Sequence, residues 1–338
     1  DVTLPIPDSV LESEKTSLAN SDTSLMGNAF ILRYFGTTGA RAEIGPYPRW
    51  TALFLITQDE RAKQSMLVNA DAAAGIPIHY RDAEDDLPLN LDRRPGVTAK
   101  FGTATPQDAL PSMTYSQTDW SPDTAHQGSF AFVPYLITGD VFYLDEITFW
   151  AAWNMAIVNP GYRGGSQGLI NSDQLRGQAW ALRSIGEAAR ALPDAHPMKS
   201  YFQGRLENNL NWYAQQYVNN PAQSPLGAIQ KPDEVNETSP WQNDFMGVVD
   251  DVVAEHELEG VIQVANFHPL FQFEGVAEDD ISNATNRAPY PTLHLLREES
   301  VERAVASDAG DAEAIVERNI ATLRELGAAG LQALLSKP

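Results

Sequence analysis

Apolar residues return every three or four positions in block after block of this chain, and two of the blocks end and restart in the same way. Leu55-Ile56-Thr57-Gln58-Asp59 closes one apolar segment and opens the next, and Leu136-Ile137-Thr138-Gly139-Asp140 repeats the pattern. Ala191-Leu192-Pro193-Asp194-Ala195-His196-Pro197 holds the equivalent place between two further segments. Each unit reads as a helix, a tight turn capped by an Asp, and a returning helix. Such pairs cannot bury their apolar faces alone, so they stack side by side or close into a ring.

The spacing predicts helices over Ser24–Tyr34, Arg49–Thr57, Glu60–Ala74, Val141–Val158, Asp173–Leu192, Pro197–Val218 and Trp241–Val253, with a further one over Gln127–Thr138 interrupted by Pro134. Val141–Val158 is apolar around most of its circumference and should be buried on several sides. Asp173–Leu192 carries two stripes. Leu175, Ala179, Leu182, Ile185 and Ala189 form one; Arg176, Trp180, Arg183 and Glu187 form the other, expected to face a cavity. A helix around Val261–Phe267 and a helical tail over Glu298–Leu335 complete the reading, and no strand alternation of useful length shows. The fold expected is all-α, with residues 1–258 as a domain of repeated antiparallel helical hairpins and 259–338 as a helical extension packed on it.

Charge narrows the partners. The formal net charge is −22, from 45 acidic against 23 basic residues, and only six of the basic residues are Lys. Phosphate binding needs basic stripes that this chain lacks, so nucleic acid is excluded as a partner. With no Cys, thiol chemistry, disulfides and Cys-based metal sites are excluded too, and the six His show no spacing for metal ligation. Neither metal nor cofactor is expected. No apolar run approaches the roughly 20 residues of a membrane helix. The start at Asp1 reads as a processed or trimmed form, and an acidic, Lys-poor, Cys-free chain fits a protein outside the cell or associated with a cell envelope or virion. Self-association is left open.

Short turns within pairs and long connections between them gather the long loops, 75–125, 159–172 and 219–240, at one end. The helices that start there carry Arg49-Trp50, His126-Gln127, Asp173-Gln174-Leu175-Arg176 and Trp241-Gln242-Asn243-Asp244. Aromatic faces beside charged and amide groups suit a sugar, which needs stacking and hydrogen bonds to hydroxyls and carboxylates. His126 is the sharpest candidate, at the start of a buried helix after a long loop. Asp173 and Asp244 also read as ordinary first-turn carboxylates, Arg176 as a buried structural cation, and Trp50, Trp150 and Trp153 as core. His79-Tyr80-Arg81 is a compact polar candidate in the first long loop, whereas His196 lies in a turn at the opposite end. Asn236-Glu237-Thr238 and Asn283-Ala284-Thr285 match the glycosylation sequon.

His126-Gln127-Gly128-Ser129, then Pro134-Tyr135-Leu136-Ile137-Thr138-Gly139-Asp140, then Arg176-Gly177-Gln178-Ala179-Trp180-Ala181-Leu182-Arg183 resemble a group of bacterial and phage proteins of unassigned activity, over roughly residues 25–255. The helix-pair pattern is similar to that of the (α/α) toroid, or six-hairpin, carbohydrate-active enzymes. The resemblance implies a toroid or partial toroid. It also implies lyase roles by residue type: a Tyr or His removes the proton beside a uronate carboxylate, an Asn, His or Arg neutralises that carboxylate, and a Tyr protonates the leaving oxygen. The matching types are His126, Tyr80, Tyr162, Arg163, Arg176 and Asn243, with Trp180, Trp241, Arg49 and Trp50 as further sugar contacts. In the toroid glycosidases two carboxylates flank the bond, for which Asp173 and Asp244 are the matching types.

Three functions follow as expectations. The first is a lyase that cleaves a uronate-containing polysaccharide by β-elimination, with His126 as base and Arg176 as carboxylate clamp. The second is a glycoside hydrolase that uses Asp173 and Asp244. The third is a non-catalytic carbohydrate-binding or virion-type assembly protein.

Overall fold

The computed structural model describes residues 6–37, 41–99, 110, 119–171, 174–218, 220, 229, 262–267, 276–277, 280–285, 287, 292–297 and 319–327. The chain divides into two compact units, Asp1–Trp212 and Tyr213–Pro338. The expected boundary at residue 258 lies outside the described residues.

The described part of the first unit is helical: α1 (Asp8–Ala19), α2 (Arg49–Thr57), α3 (Glu60–Ala73), α4 (Phe132–Thr138), α5 (Val141–Ala156), α6 (Leu175–Ala191) and all but the last residue of α7 (Lys199–Tyr213), which runs on within the second unit as a π-helical turn over Ala214–Val218. No described helix is long and apolar enough to cross a membrane. In the second unit, 319–327 is helical, within the tail expected to be so. Two departures from the expected elements stand out. The apolar cluster of Ser24–Tyr34 forms no helix but a run of turns, with Met26 and Ala29 at positive φ. And Ile262–Phe267, expected as a helix, is a strand β1 that pairs antiparallel with β2 (Thr292–Arg297), in the register Ile262↔Arg297 through Phe267↔Thr292.

The two repeated turns share their hydrogen bonds atom for atom. Thr57 Oγ1 donates to the Leu53 carbonyl at 2.6 Å, and Thr138 Oγ1 to the Pro134 carbonyl at 2.7 Å. Each Thr oxygen then accepts from the backbone N–H of the Asp two residues on, at 3.2 Å for Asp59 and 3.1 Å for Asp140. The residue between is left-handed, Gln58 at φ 54° and Gly139 at φ 67°. Each Asp accepts from the second N–H of the new helix, Arg61 at 2.8 Å and Phe142 at 3.0 Å. This satisfies a donor that the helix start leaves without an internal partner. The third turn differs from the expected Asp cap. Leu192 is extended, and the cap acceptor is the His196 ring, whose Nδ1 takes the Met198 N–H at 3.2 Å.

Helix α5 lies at the centre of the core, with thirteen of its sixteen residues buried. Trp150 packs edge-on against Trp153 at 5.7 Å and also meets Phe35 and Phe130. Trp50, Trp120, Ile31 and Met66 close the same cluster. Aromatic side chains each bury about 150–250 Å², so this cluster dominates the hydrophobic stabilisation of the unit.

Within the connection after α3, residues 82–94 are tied together by charge. Asp82, almost fully buried, accepts from Arg94 at 3.0 and 3.2 Å and from the Glu84 N–H at 3.1 Å. The Arg94 bonds, with the help of Arg93, hold its carboxyl below the usual carboxylate range against the opposing effect of burial. A depressed folded value means stability that is present above the unfolded pKa, about 3.9, and lost as pH falls through the folded one. Thermal melts of Asp82→Asn are therefore expected to start lower at pH 7 and to fall less steeply than those of the parent below about pH 4. Parallel curves would remove Asp82 from the acid transition.

Candidate functional site

A single 3₁₀ turn, Thr124–His126, carries the sharpest sequence candidate into the first turn of α6. His126 Nδ1 lies 2.7 and 2.8 Å from the two carboxylate oxygens of Asp123, and Nε2 lies 2.7 Å from Arg176 Nη2. A guanidinium donates and never accepts. Nε2 must therefore carry the lone pair, which leaves the ring proton on Nδ1, donated to Asp123. The imidazole is thus neutral and fixed in one tautomer, between a carboxylate and a cation. His126 and Arg176 are both largely buried, while the Asp123 side chain is about one-third exposed (36%). Asp123 went unnoticed in the sequence, although its place three residues before His126 on a turn was a usable signal.

The residues that follow His126 are fixed just as closely. Gln127 and Asn154 exchange reciprocal amide bonds at 2.6 and 2.9 Å, both fully buried. A Cβ on Gly128 would collide with the Glu43 carbonyl and the Phe130 ring, so the chain can pass only as glycine. Ser129 donates to Glu187 at 2.5 Å. Arg183 donates to the carbonyls of Gly45, Pro46 and Gln127 and stacks on Trp180 at 4.8 Å. Burial pulls Arg183 below the usual arginine range, and Glu187 opposes that shift. Arg176, Arg183 and Glu187 of the expected cavity-facing stripe therefore bond the chain segment 126–129, and Trp180 lies under the Arg183 guanidinium.

Other predicted contacts lie elsewhere. Trp50 and Trp180 are fully buried core residues. Arg163 is also fully buried. Its guanidinium donates to the carbonyls of Gly165 and Val158 at 3.0 Å, Pro95 at 2.9 Å and Met155 at 3.3 Å, which staples the glycine-rich loop in place. Neither the two indoles nor this guanidinium is presented to a ligand. Arg49 is half-exposed and pairs with buried Glu14 at 2.5 Å. Tyr80 packs at the edge of the core cluster, and Tyr162 is the exposed tip of the loop that Arg163 holds. Asp173, Trp241, Asn243 and Asp244 lie outside the described residues.

A second histidine–carboxylate pair joins His79 Nε2 to both oxygens of buried Glu146, at 2.8 and 3.0 Å. The His79 ring lies edge-to-face with Phe149, while the Arg81 guanidinium covers the Phe149 ring at 4.6 Å and pairs with Asp145 at 3.0 Å. Burial lowers His196 from the usual histidine range, and Asp145 opposes the shift. Among the described residues no cluster of three or more His, Asp or Glu could hold a metal ion. The sequon residue Asn283 is fully buried and donates to the Ala277 carbonyl at 2.8 Å, so it is not offered for glycosylation; Asn236 lies outside the described residues.

No curated protein and no solved structure matches the chain. Residues 231–333, within the second unit, match the family described as protein of unknown function (DUF1415).

Proposed function

We propose that this protein is a polysaccharide lyase acting on a uronate-containing glycan, with the helical hairpins of the first unit forming part of an (α/α) toroid. The observation that carries the reading is the Asp123–His126–Arg176 relay, in which a base of fixed tautomer adjoins a guanidinium. The carbon acid next to a uronate carboxylate is weak, so that carboxylate must be neutralised before a base of histidine strength can act. Arg176 supplies the charge, and its place in the first turn of α6 adds the positive end of the helix. His126 Nε2 takes the proton, and the C–H electron pair forms the double bond to the adjacent carbon. The glycosidic oxygen leaves that carbon with its bonding pair and takes the proton back from the imidazolium.

The site of action proposed is outside the cell, at an envelope or virion surface where such glycans occur. A chain of net charge −22 repels a polyanionic substrate at long range. Turnover is therefore expected to rise with salt as the Debye length shrinks from about 30 Å at 0.01 M to about 8 Å at 0.15 M. The test is ultraviolet absorbance of the new unsaturated bond during incubation with a panel of uronate polysaccharides at both salts. New reducing ends without that absorbance would replace elimination by hydrolysis.

The non-catalytic assembly reading draws on a different observation: both repeated turns present a Leu–Ile pair, Leu55-Ile56 and Leu136-Ile137, to solvent. Ordered self-association with no cleavage of any panel member, unchanged in His126→Ala, would favour it.

A further inference from the structure

We propose that Arg176 keeps His126 disarmed and that a substrate carboxylate arms it, so that the site acts only where a free carboxylate adjoins the proton to be removed. The inference rests on the elimination reading and adds a control step to the same residues. With Nδ1–H directed at Asp123, the imidazole has one lone pair, on Nε2, and Arg176 Nη2 occupies it at 2.7 Å. One lone pair cannot hold a guanidinium proton and receive a carbon-bound proton at once, so Arg176 must leave before His126 can act as a base. A neutral imidazole nitrogen offers the guanidinium a single acceptor. A carboxylate offers two anionic oxygens that match its planar fork, so it replaces one bond to a neutral acceptor with a bidentate ion pair. The carboxylate therefore draws Arg176 away from Nε2, and clamping the substrate and uncovering the base become one event. An esterified or amidated residue lacks the charge, leaves the guanidinium on Nε2 and meets a blocked base.

The experiment is side-chain ¹⁵N NMR of the full chain labelled at histidine, with the His126 resonances assigned by their absence from His126→Gln. Sodium glucuronate is added until the spectrum stops changing, and the methyl ester of glucuronate is added in parallel. The result expected is a downfield move of His126 Nε2 with glucuronate, as its hydrogen bond from Arg176 is lost, and none with the ester. Arg176→Met, which has no donor for Nε2, should show the same move without ligand. An Nε2 signal that glucuronate leaves in place, or that the ester moves as far, overturns the proposal whether or not Arg176→Met folds. Neither readout requires turnover. A carboxylate-specific shift in a protein that produces no unsaturated bond would sink the elimination reading and keep the arming step; elimination without that shift would sink the arming step alone.

Discussion

Replacing His126 with alanine is expected to lower kcat/KM on a cleaved uronate polymer by about 10²–10⁴-fold, the range for loss of a positioned base. Asp123→Asn should come close to it for a different reason. An amide can donate to Nδ1, which places the ring proton on Nε2, where the lone pair is needed. Arg176→Lys keeps a charge but loses the planar fork, so it should retain part of the activity and lose discrimination between free and esterified polymer. Initial rates from the absorbance of the unsaturated product, taken beside melting curves of each variant, check the series. Activity of His126→Ala within a few-fold of the parent would remove His126 from the role of base.

Arg163→Met is expected to destabilise the first unit by about 3–5 kcal/mol, because several buried carbonyls lose their donor at once. Methionine fills much of the volume of arginine, so the loss reports polar satisfaction rather than a cavity. The four carbonyls belong to the end of α5, the glycine-rich loop and Pro95, so one side chain ties three stretches of chain together. Urea melts monitored by tryptophan fluorescence would show the midpoint fall with little change in slope. A midpoint unchanged within error would mean that the loop closes without the staple.

The contrast between Arg163 and Arg176 shows how far the sequence could be read. Both are arginines near glycines and aromatic residues in a loop-rich part of the chain, and both read as ligand contacts; only the carbonyls around one and the imidazole beside the other separate them. Trp50 and Trp180 raised the same ambiguity, since an aromatic next to a cation looks alike in a core and in a sugar site. Helices α2 and α3 were legible to within a residue, because the Thr and Asp that end and begin them act over two to four positions. Helix α1 was hidden because its inward stripe includes Glu14, a buried acid that Ser65 and Arg49 satisfy from distant segments. The expected helix at Ser24–Tyr34 lost to local competition, where Ser24 and Asn28 bond to neighbouring groups and Met26 turns left-handed. Strand β1 pairs with a segment some thirty residues later, a partner that no local pattern reveals.

The repeated turns also set an order of assembly. Their bonds close between residues two to four positions apart, so little chain entropy stands against them and they can form while the rest of the chain is open. The grip on segment 126–129 works over far longer spans: fifty residues separate His126 from Arg176, and 138 separate Arg183 from Gly45. A chain that has made its hairpins but not that long closure has its turns in place and no relay. Hydrogen exchange during refolding should therefore protect the amides of Gln58 and Gly139, whose acceptors lie four residues back, before that of Ser121, whose acceptor is the distant Arg33 carbonyl, and the capacity for chemistry arrives with the last contacts rather than the first.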